Sequence, residues 1–408
     1  MTFKQTLNII LKQRGHGNKK SNLAEVKKTA AALGLQKLPF KNIIVAGTNG
    51  KGTTATLLAL ALTEGGYKTG LFTSPHIYEV TERIKIDGAN ISRKDFTFYV
   101  NAVLAKETVP LKFFEVLTLA AMLYFKDKGV DYVVCECGIG GRKDCTNIFP
   151  RVLGIITSVD IDHSAILGDT LAKIAWQKGG IIKSGVPCVC GPLKKEAQTV
   201  IKNIASAKKA ELLTLNRTFK ITAKNYKNLQ TAFSLGGEAF TLNLAGAAQA
   251  QNAALVCLAA RNLGLPKQAL DKALLKIKMP CRFQLIPFGK RFIIKDGAHN
   301  PAAVKEFLNT YLASPFCGPQ NTLVYAAMGD KDYKTALKLL APNFKHIVLT
   351  CADAQKGVPT AILKAILPDK YDVKIAANPA RLNLKKLSGN IIIAGSFYLC
   401  AKTPVTPS

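Results

Sequence analysis

The sequence predicts an α/β protein of two domains, and three observations carry that expectation. Short apolar runs rich in β-branched residues recur along the chain, each the length of a buried parallel strand. Alanine-rich or amphipathic segments ending in glycine separate them, as helices do in βαβ units. The pattern then restarts after the MetPro pair at 279–280, which divides the chain into 1–279 and 280–408.

Taken in order, NIIVAG (42–47), DYVVCECG (131–138), VLGIITSV (152–159) and VPCVCG (186–191) are the strands of a central, mostly parallel sheet. TTATLLALALTEGG (53–66) and EVLTLAAMLYFKDKG (115–129) are helices between them. The section from about 205 to 245 alternates instead and is rich in Thr, Tyr and Asn, so it predicts antiparallel strands decorating the first domain. FIIKD (292–296), NTLVYAAMG (321–329), KHIVLTC (345–351), YDVKIAA (371–377) and GNIIIAGS (389–396) repeat the strand pattern. They predict a smaller, doubly wound domain of Rossmann type.

Composition narrows the function classes. Hydrophobic content of 48% with 20% charged residues is that of a folded globular chain, not a disordered one. No stretch approaches the roughly 18 apolar residues of a membrane span, and the amino-terminal MTFKQTLNIILKQRG mixes charge into its apolar run, so neither a leader nor a membrane partner is expected. The 10 cysteines include several inside strand-like runs, which fits reduced thiols and a cytoplasmic location. Two CxC pairs, Cys135 with Cys137 and Cys188 with Cys190, lack a further Cys or His at metal-ligand spacing and read as core packing. The net charge of +30 comes mostly from scattered lysines and reads as a solvated surface, with attraction for polyanionic substrates and no nucleic-acid partner.

The chemistry begins at VAGTNGKGTT (45–54), set between an apolar strand and a helix. Glycines there let backbone N–H groups and a helix N-terminus approach a phosphate, and Lys51 adds positive charge. Gly47, Thr48, Asn49, Gly50, Lys51, Gly52, Thr53 and Thr54 are therefore the predicted nucleotide loop. It departs from the strict P-loop, with Val45 where a glycine is required and Gly52 in place of Ser/Thr after the lysine. Glu136 ends a predicted strand at the ligand-binding edge of the sheet, and DIDH puts His163 after the next strand, so adjacent strand ends offer a carboxylate and an imidazole to one metal. A purely structural pairing of Glu136 with a lysine, and a loop-capping His163, remain open.

GTNGKG, SPHIYEVTERI (74–84), FFEVLTLAA (113–121), ECGIGGRKDCTN (136–147), SVDIDHSAILGDTLAKIAWQKGGIIKSGVP (158–187), CRFQ (281–284), DGAHNP (296–301) and GSFYL (395–399) follow one another in a meaningful order. Together they resemble the Mur-ligase superfamily, in its folylpolyglutamate and dihydrofolate synthase branch, over almost the whole chain. That resemblance implies a Mur-ligase-like ATP-binding domain carrying the folate site, and a glutamate-ligase domain after it. It implies Mg²⁺, two ions being expected, held by Ser74, Glu136, His163 and a Lys178 carbamylated by CO₂. By composition alone Lys178 is an ordinary surface lysine, and Gln177 stands where the family has an acidic residue. Asn252 matches an adenine contact, in a short motif that begins at Gln249. Arg282 matches a residue that reaches the ATP phosphates on domain closure, with Asp296 and His299 lining the nucleotide and glutamate side. Phe114 and Asp144 match the pterin site, with core packing and a helix N-cap as their alternatives. Ser396 matches a position near the glutamate.

The implied reaction activates the carboxylate of dihydropteroate or of a reduced folate with ATP, giving an acyl phosphate that the amine of L-glutamate attacks. Lys51, Arg282, His299 and Lys178 are the expected catalytic groups, with His299 the candidate base and a monomer the expected state. Two kinds of protein compete with this expectation. One is a Mur-type ligase with a non-folate acceptor, and the other is a nucleotide-binding protein outside ligation, either a basic nucleic-acid ATPase or a sensor.

Overall fold

The computed structural model describes residues 1–13, 23–215, 218–403 and 405. Residues 14–15 of the amino-terminal stretch and 216–217 of the alternating section thus lie outside the described residues. The chain forms two compact units, Met1–Phe219 with Gln251–Ile277, and Lys220–Ala250 with Lys278–Ser408.

The first unit is built on an eight-stranded sheet. Its strands are β1 (Lys41–Ala46), β2 (Thr69–Phe72), β3 (Ile84–Ile86), β4 (Ala89–Asn90), β5 (Tyr132–Glu136), β6 (Leu153–Ile156), β7 (Cys188–Cys190) and β8 (Leu212–Thr214), in the order β4-β3-β2-β5-β1-β6-β7-β8. All neighbours run parallel except β2 with β3 and β3 with β4. β1 is buried at every residue but Lys41, and β5 is buried throughout, because helices cover both faces of a parallel sheet. Lys51–Glu64 and Phe113–Asp127 are two of these helices. Most positions of Phe113–Asp127 are buried, which explains its continuous apolar run better than a single amphipathic stripe does. The CxC thiols lie in this interior: Cys135, Cys137, Cys188 and Cys190 are all buried.

One expectation needs correcting. β5 and β6 are not adjacent, since β1 runs between them. The chain leaves β1 toward one edge of the sheet, through β2 and β5, and returns to its other side at β6. That reversal is the topological switch point where open α/β sheets bind ligands.

In the second unit, β9 (Lys220–Asn225), β10 (Gln230–Leu235) and β11 (Glu238–Leu242) form an antiparallel sheet. The alternation expected over about 205–245 holds for these three strands, but they belong to the second unit and do not decorate the first, and β8, within the same section, is a parallel strand of the first unit's main sheet. Tyr226 and Leu229 pack on the core of the second. The main sheet there contains β12 (Gln284–Phe288), β13 (Arg291–Asp296), β14 (Thr322–Tyr325), β15 (His346–Thr350), β16 (Asp372–Ala376) and β17 (Ile391–Ala394), ordered β12-β13-β17-β14-β15-β16. Only β12 is antiparallel to its neighbour. Asp296, the last residue of β13, pairs with Ala394, the last of β17, so the turns after these two strands emerge side by side.

Candidate functional site

The predicted nucleotide loop is held by the residues that follow β6. Thr48 N–H donates to the Ser158 carbonyl at 2.9 Å, Asn49 N–H to Ser158 Oγ at 2.9 Å, and Thr157 Oγ1 to the Asn49 carbonyl at 2.6 Å. Thr157 and Ser158 follow β6, and motif reasoning missed both because their role is to fix a neighbouring loop. Gly47 is tight against them, since a Cβ there would fall 1.8 Å from Thr157 Oγ1. Gly50 adopts φ +83°, and a Cβ would fall 2.2 Å from Asn252 Oδ1. Asn252 is thus buried against the phosphate loop, not turned to solvent.

The helix Lys51–Glu64 has Gly50 at its N-cap and no side-chain cap, leaving the positive end of its dipole open to an anion. Lys51 Nζ donates to the Thr48 carbonyl at 3.1 Å. The hydroxyls of Thr53 and Thr54 are buried without a hydrogen-bond partner. A buried hydroxyl left unpaired is costly, so the two are hard oxygens available to a ligand.

On the β5 side, Glu136 is buried and its Oε2 accepts the Ser74 N–H at 2.9 Å. A Cβ added to Gly52 would come 3.5 Å from the same oxygen, so this carboxylate borders the phosphate loop. His163, after β6, has φ 50° and caps the helix Ser164–Leu167. Its N–H donates to Asp162 Oδ1 at 2.8 Å. Glu136 thus ends β5 and His163 follows β6, the two strands that flank β1. Among the described residues no group of three or more His, Cys, Asp or Glu could hold a metal ion. Mg²⁺ needs none, because it commonly takes one or two carboxylates and completes its shell with hydroxyls, water and phosphate oxygens. Glu136, Ser74 and the orphaned Thr53 hydroxyl fit that donor set.

Lys178 is not a surface lysine. Only 2% of it is exposed, and burial, with the charge of Lys51 beside it, lowers its pKa to about 7. Asp160 and Asp162 oppose the shift. A neutral amine next to a phosphate loop is therefore accessible near neutral pH.

Of the predicted pterin residues, Phe114 is half-buried, 5.4 Å from the Phe72 ring, and packs on Gly138. Asp144 is buried and takes the N-cap alternative for the short helix Cys145–Ile148. Its Oδ2 accepts from Gly138 N and Ile139 N at 2.8 and 3.1 Å. Its Oδ1 accepts from Thr146 N and Thr146 Oγ1 at 3.0 and 2.7 Å. Burial pushes this carboxyl up, against the pull of those bonds. Asp144 thereby shapes the turn that presents Gly138 and Ile139.

The remaining residues gather in the second unit. Asp296 is buried and accepts from Phe283 N at 2.7 Å and Ala298 N at 2.8 Å. Burial raises its pKa, and Arg282 nearby opposes that. His299 Nδ1 lies 2.7 Å from the Gly297 carbonyl, so Nδ1 donates and Nε2 is the basic nitrogen of the neutral ring. Ser396 is buried, and its Oγ accepts the Tyr398 N–H at 3.1 Å.

Comparison with known proteins identifies the family. Residues 45–260 match the Mur ligase middle domain and 281–391 the Mur ligase glutamate ligase domain. A Bacillus subtilis dihydrofolate synthase/folylpolyglutamate synthase is 34% identical over 420 residues, covering 93% of each chain. The structure of Escherichia coli FolC in complex with DHPP and ADP superposes with a TM-score of 0.87 at 28% identity, over 98% of this chain and 96% of that one. A Yersinia pestis bifunctional folylpolyglutamate synthase/dihydrofolate synthase, complexed with AMPPNP and Mn ion, gives 0.85 at 27% identity, over 98% and 97%. With similarity running from the phosphate loop to the last strand, the chain belongs to the Mur ligase family, in its folylpolyglutamate and dihydrofolate synthase branch.

Proposed function

We propose that this protein is an ATP-dependent ligase that joins L-glutamate to dihydropteroate or to the terminal glutamate of a reduced folate, through an acyl phosphate. The observation that carries the reading is the open helix N-terminus at the switch point, bordered by the buried Glu136 carboxylate, in a chain of this family. An acceptor carboxylate oxygen attacks the terminal phosphorus of ATP, and the bond to ADP breaks. The glutamate nitrogen then attacks the acyl carbon, and the collapsing intermediate expels phosphate.

Each residue has an assigned part. Loop residues 47–54 and Asn252 bind the nucleotide, and Lys51 and Arg282 offset charge on the phosphoryl group, which is where most of the rate enhancement of such transfers arises. When bound, two Mg²⁺ ions neutralise the phosphate oxygens, with Ser74, Glu136, His163, Thr53 and carbamylated Lys178 as the groups to hold them. The neutral Lys178 amine attacks CO₂, forming the N–C bond and losing one proton, and the resulting anion complements Lys51. Phe114 packs on the pterin, and Asp144 holds the turn beside it. Asp296 and Ser396 line the glutamate side, and His299 Nε2 accepts the proton lost by the incoming ammonium. We place the protein in the cytoplasm as a monomer without nucleic-acid or membrane partners. Its cysteines carry free thiols, and among the described residues no helix is long and apolar enough to cross a membrane.

The test supplies purified protein with Mg-ATP, glutamate and bicarbonate and measures ADP release with dihydropteroate, tetrahydrofolate or a nucleic acid as the third component. Release with one or both pteroyl acceptors, and none with nucleic acid, is expected. Silence with both acceptors overturns the reading.

A further inference from the structure

Phe397 has no assigned role, yet its ring is where the second unit's candidate groups meet. The Arg282 guanidinium carbon sits 4.7 Å from the ring centroid. The His299 ring lies 5.9 Å away, tilted by 56°. A Cβ added to Gly297 would fall 2.4 Å from Phe397 Cε1, so the aromatic ring rests directly on the backbone of the turn that carries His299. One side chain therefore touches the segment before β12, the turn after β13 and the start of the helix after β17.

The backbone around Arg282 is already constrained. Cys281 and Phe283 on either side have φ of 57° and 44°, the left-handed region that side-chain-bearing residues rarely occupy, and Phe283 is tied to Asp296 through its N–H. What the backbone leaves loose is the far end of a long, flexible side chain. The face of an aromatic ring attracts a guanidinium, and its edge packs a second ring. We propose that Phe397 is a positioning residue for the ligase reaction, its ring holding the Arg282 guanidinium and the His299 imidazole in place together. This rests on the roles assigned above to Arg282 and His299.

Phe397→Leu keeps an apolar side chain of similar size but removes the ring. Its kcat/KM for glutamate ligation is expected to fall about tenfold, the scale of a partly desolvated cation–π contact, and Phe397→Tyr to recover most of it. In the Arg282→Ala background, the effect of Phe397→Leu is expected to shrink to the smaller part carried through His299, because one of the two groups the ring positions has gone. An undiminished effect in that background, or wild-type kcat/KM in Phe397→Leu, overturns the proposal. A second readout needs no turnover. In full-length protein with ¹³C-labelled histidine, the His299 ring C–H resonance, identified by its loss in His299→Asn, is expected to shift in Phe397→Leu as the ring current disappears. An unmoved resonance also overturns the placement. A wild-type enzyme silent with both pteroyl acceptors sinks the ligase reading instead, while the resonance still decides what the ring does.

Discussion

Lys178 shows how far a residue's environment can depart from what its type implies. Lysine is almost never fully buried, yet here burial beside Lys51 brings its pKa to about 7 from an ordinary 10.5. Between those values the unfolded chain holds a proton that the folded chain lacks, so this group makes stability rise with pH across that window. Met fills similar space without titrating. Lys178→Met is therefore expected to stabilise the ligand-free protein, most at about pH 6 and much less by about pH 9. Urea unfolding in CO₂-free buffer at both pH values checks this, and an advantage independent of pH contradicts a buried, neutralised lysine. Lys178, Glu136 and Lys51 could be singled out as candidates because each lies in a contiguous motif. Nothing in the alanine-rich helix marks Asn252 as packing on Gly50, and nothing in GSFYL marks Phe397 as more than core, because both roles exist only across long separations in the chain.

At the scale of elements, the turn after β5 depends on Asp144, which satisfies three backbone N–H groups and one hydroxyl. Asp144→Ala leaves those donors unpaired, at roughly 1–3 kcal/mol for a buried group. The variant is expected to show a lower urea midpoint with an unchanged m-value, and Asp144→Asn a smaller loss because its carbonyl oxygen still accepts. A wild-type midpoint in Asp144→Ala shows that the turn holds itself. The strands read from the sequence correspond to β1, β5, β6 and β7 and to β13 through β17, since long apolar runs between glycines announce themselves. β2 and the β3–β4 pair went unread. The alternation of β9–β11 identified their type but not their owner, because a half-buried strand looks the same whichever core it covers.

For the whole molecule, a net charge of +30 surrounds a site proposed to bind two anionic substrates. Such a field raises the local concentration of anions and is screened over about 10 Å at 0.1 M salt. KM for ATP and for the pteroyl acceptor is expected to rise with added KCl while kcat stays nearly constant, and steady-state kinetics across a salt series checks it. A KM indifferent to salt assigns the lysines to solubility alone. The glycine-rich loop between strand and helix, the α/β class and the family likeness were all available in the linear chain, because periodicity, turn residues and contiguous motifs are local. Three features appeared only once the chain was packed: the order that puts β1 between β5 and β6, the attachment of β9–β11 to the second unit's core, and the gathering of Arg282 and His299 on one aromatic ring. Each is a choice among partners distant in sequence. Close packing and the pairing of buried polar groups make that choice, and neither leaves a periodic trace in the order of residues.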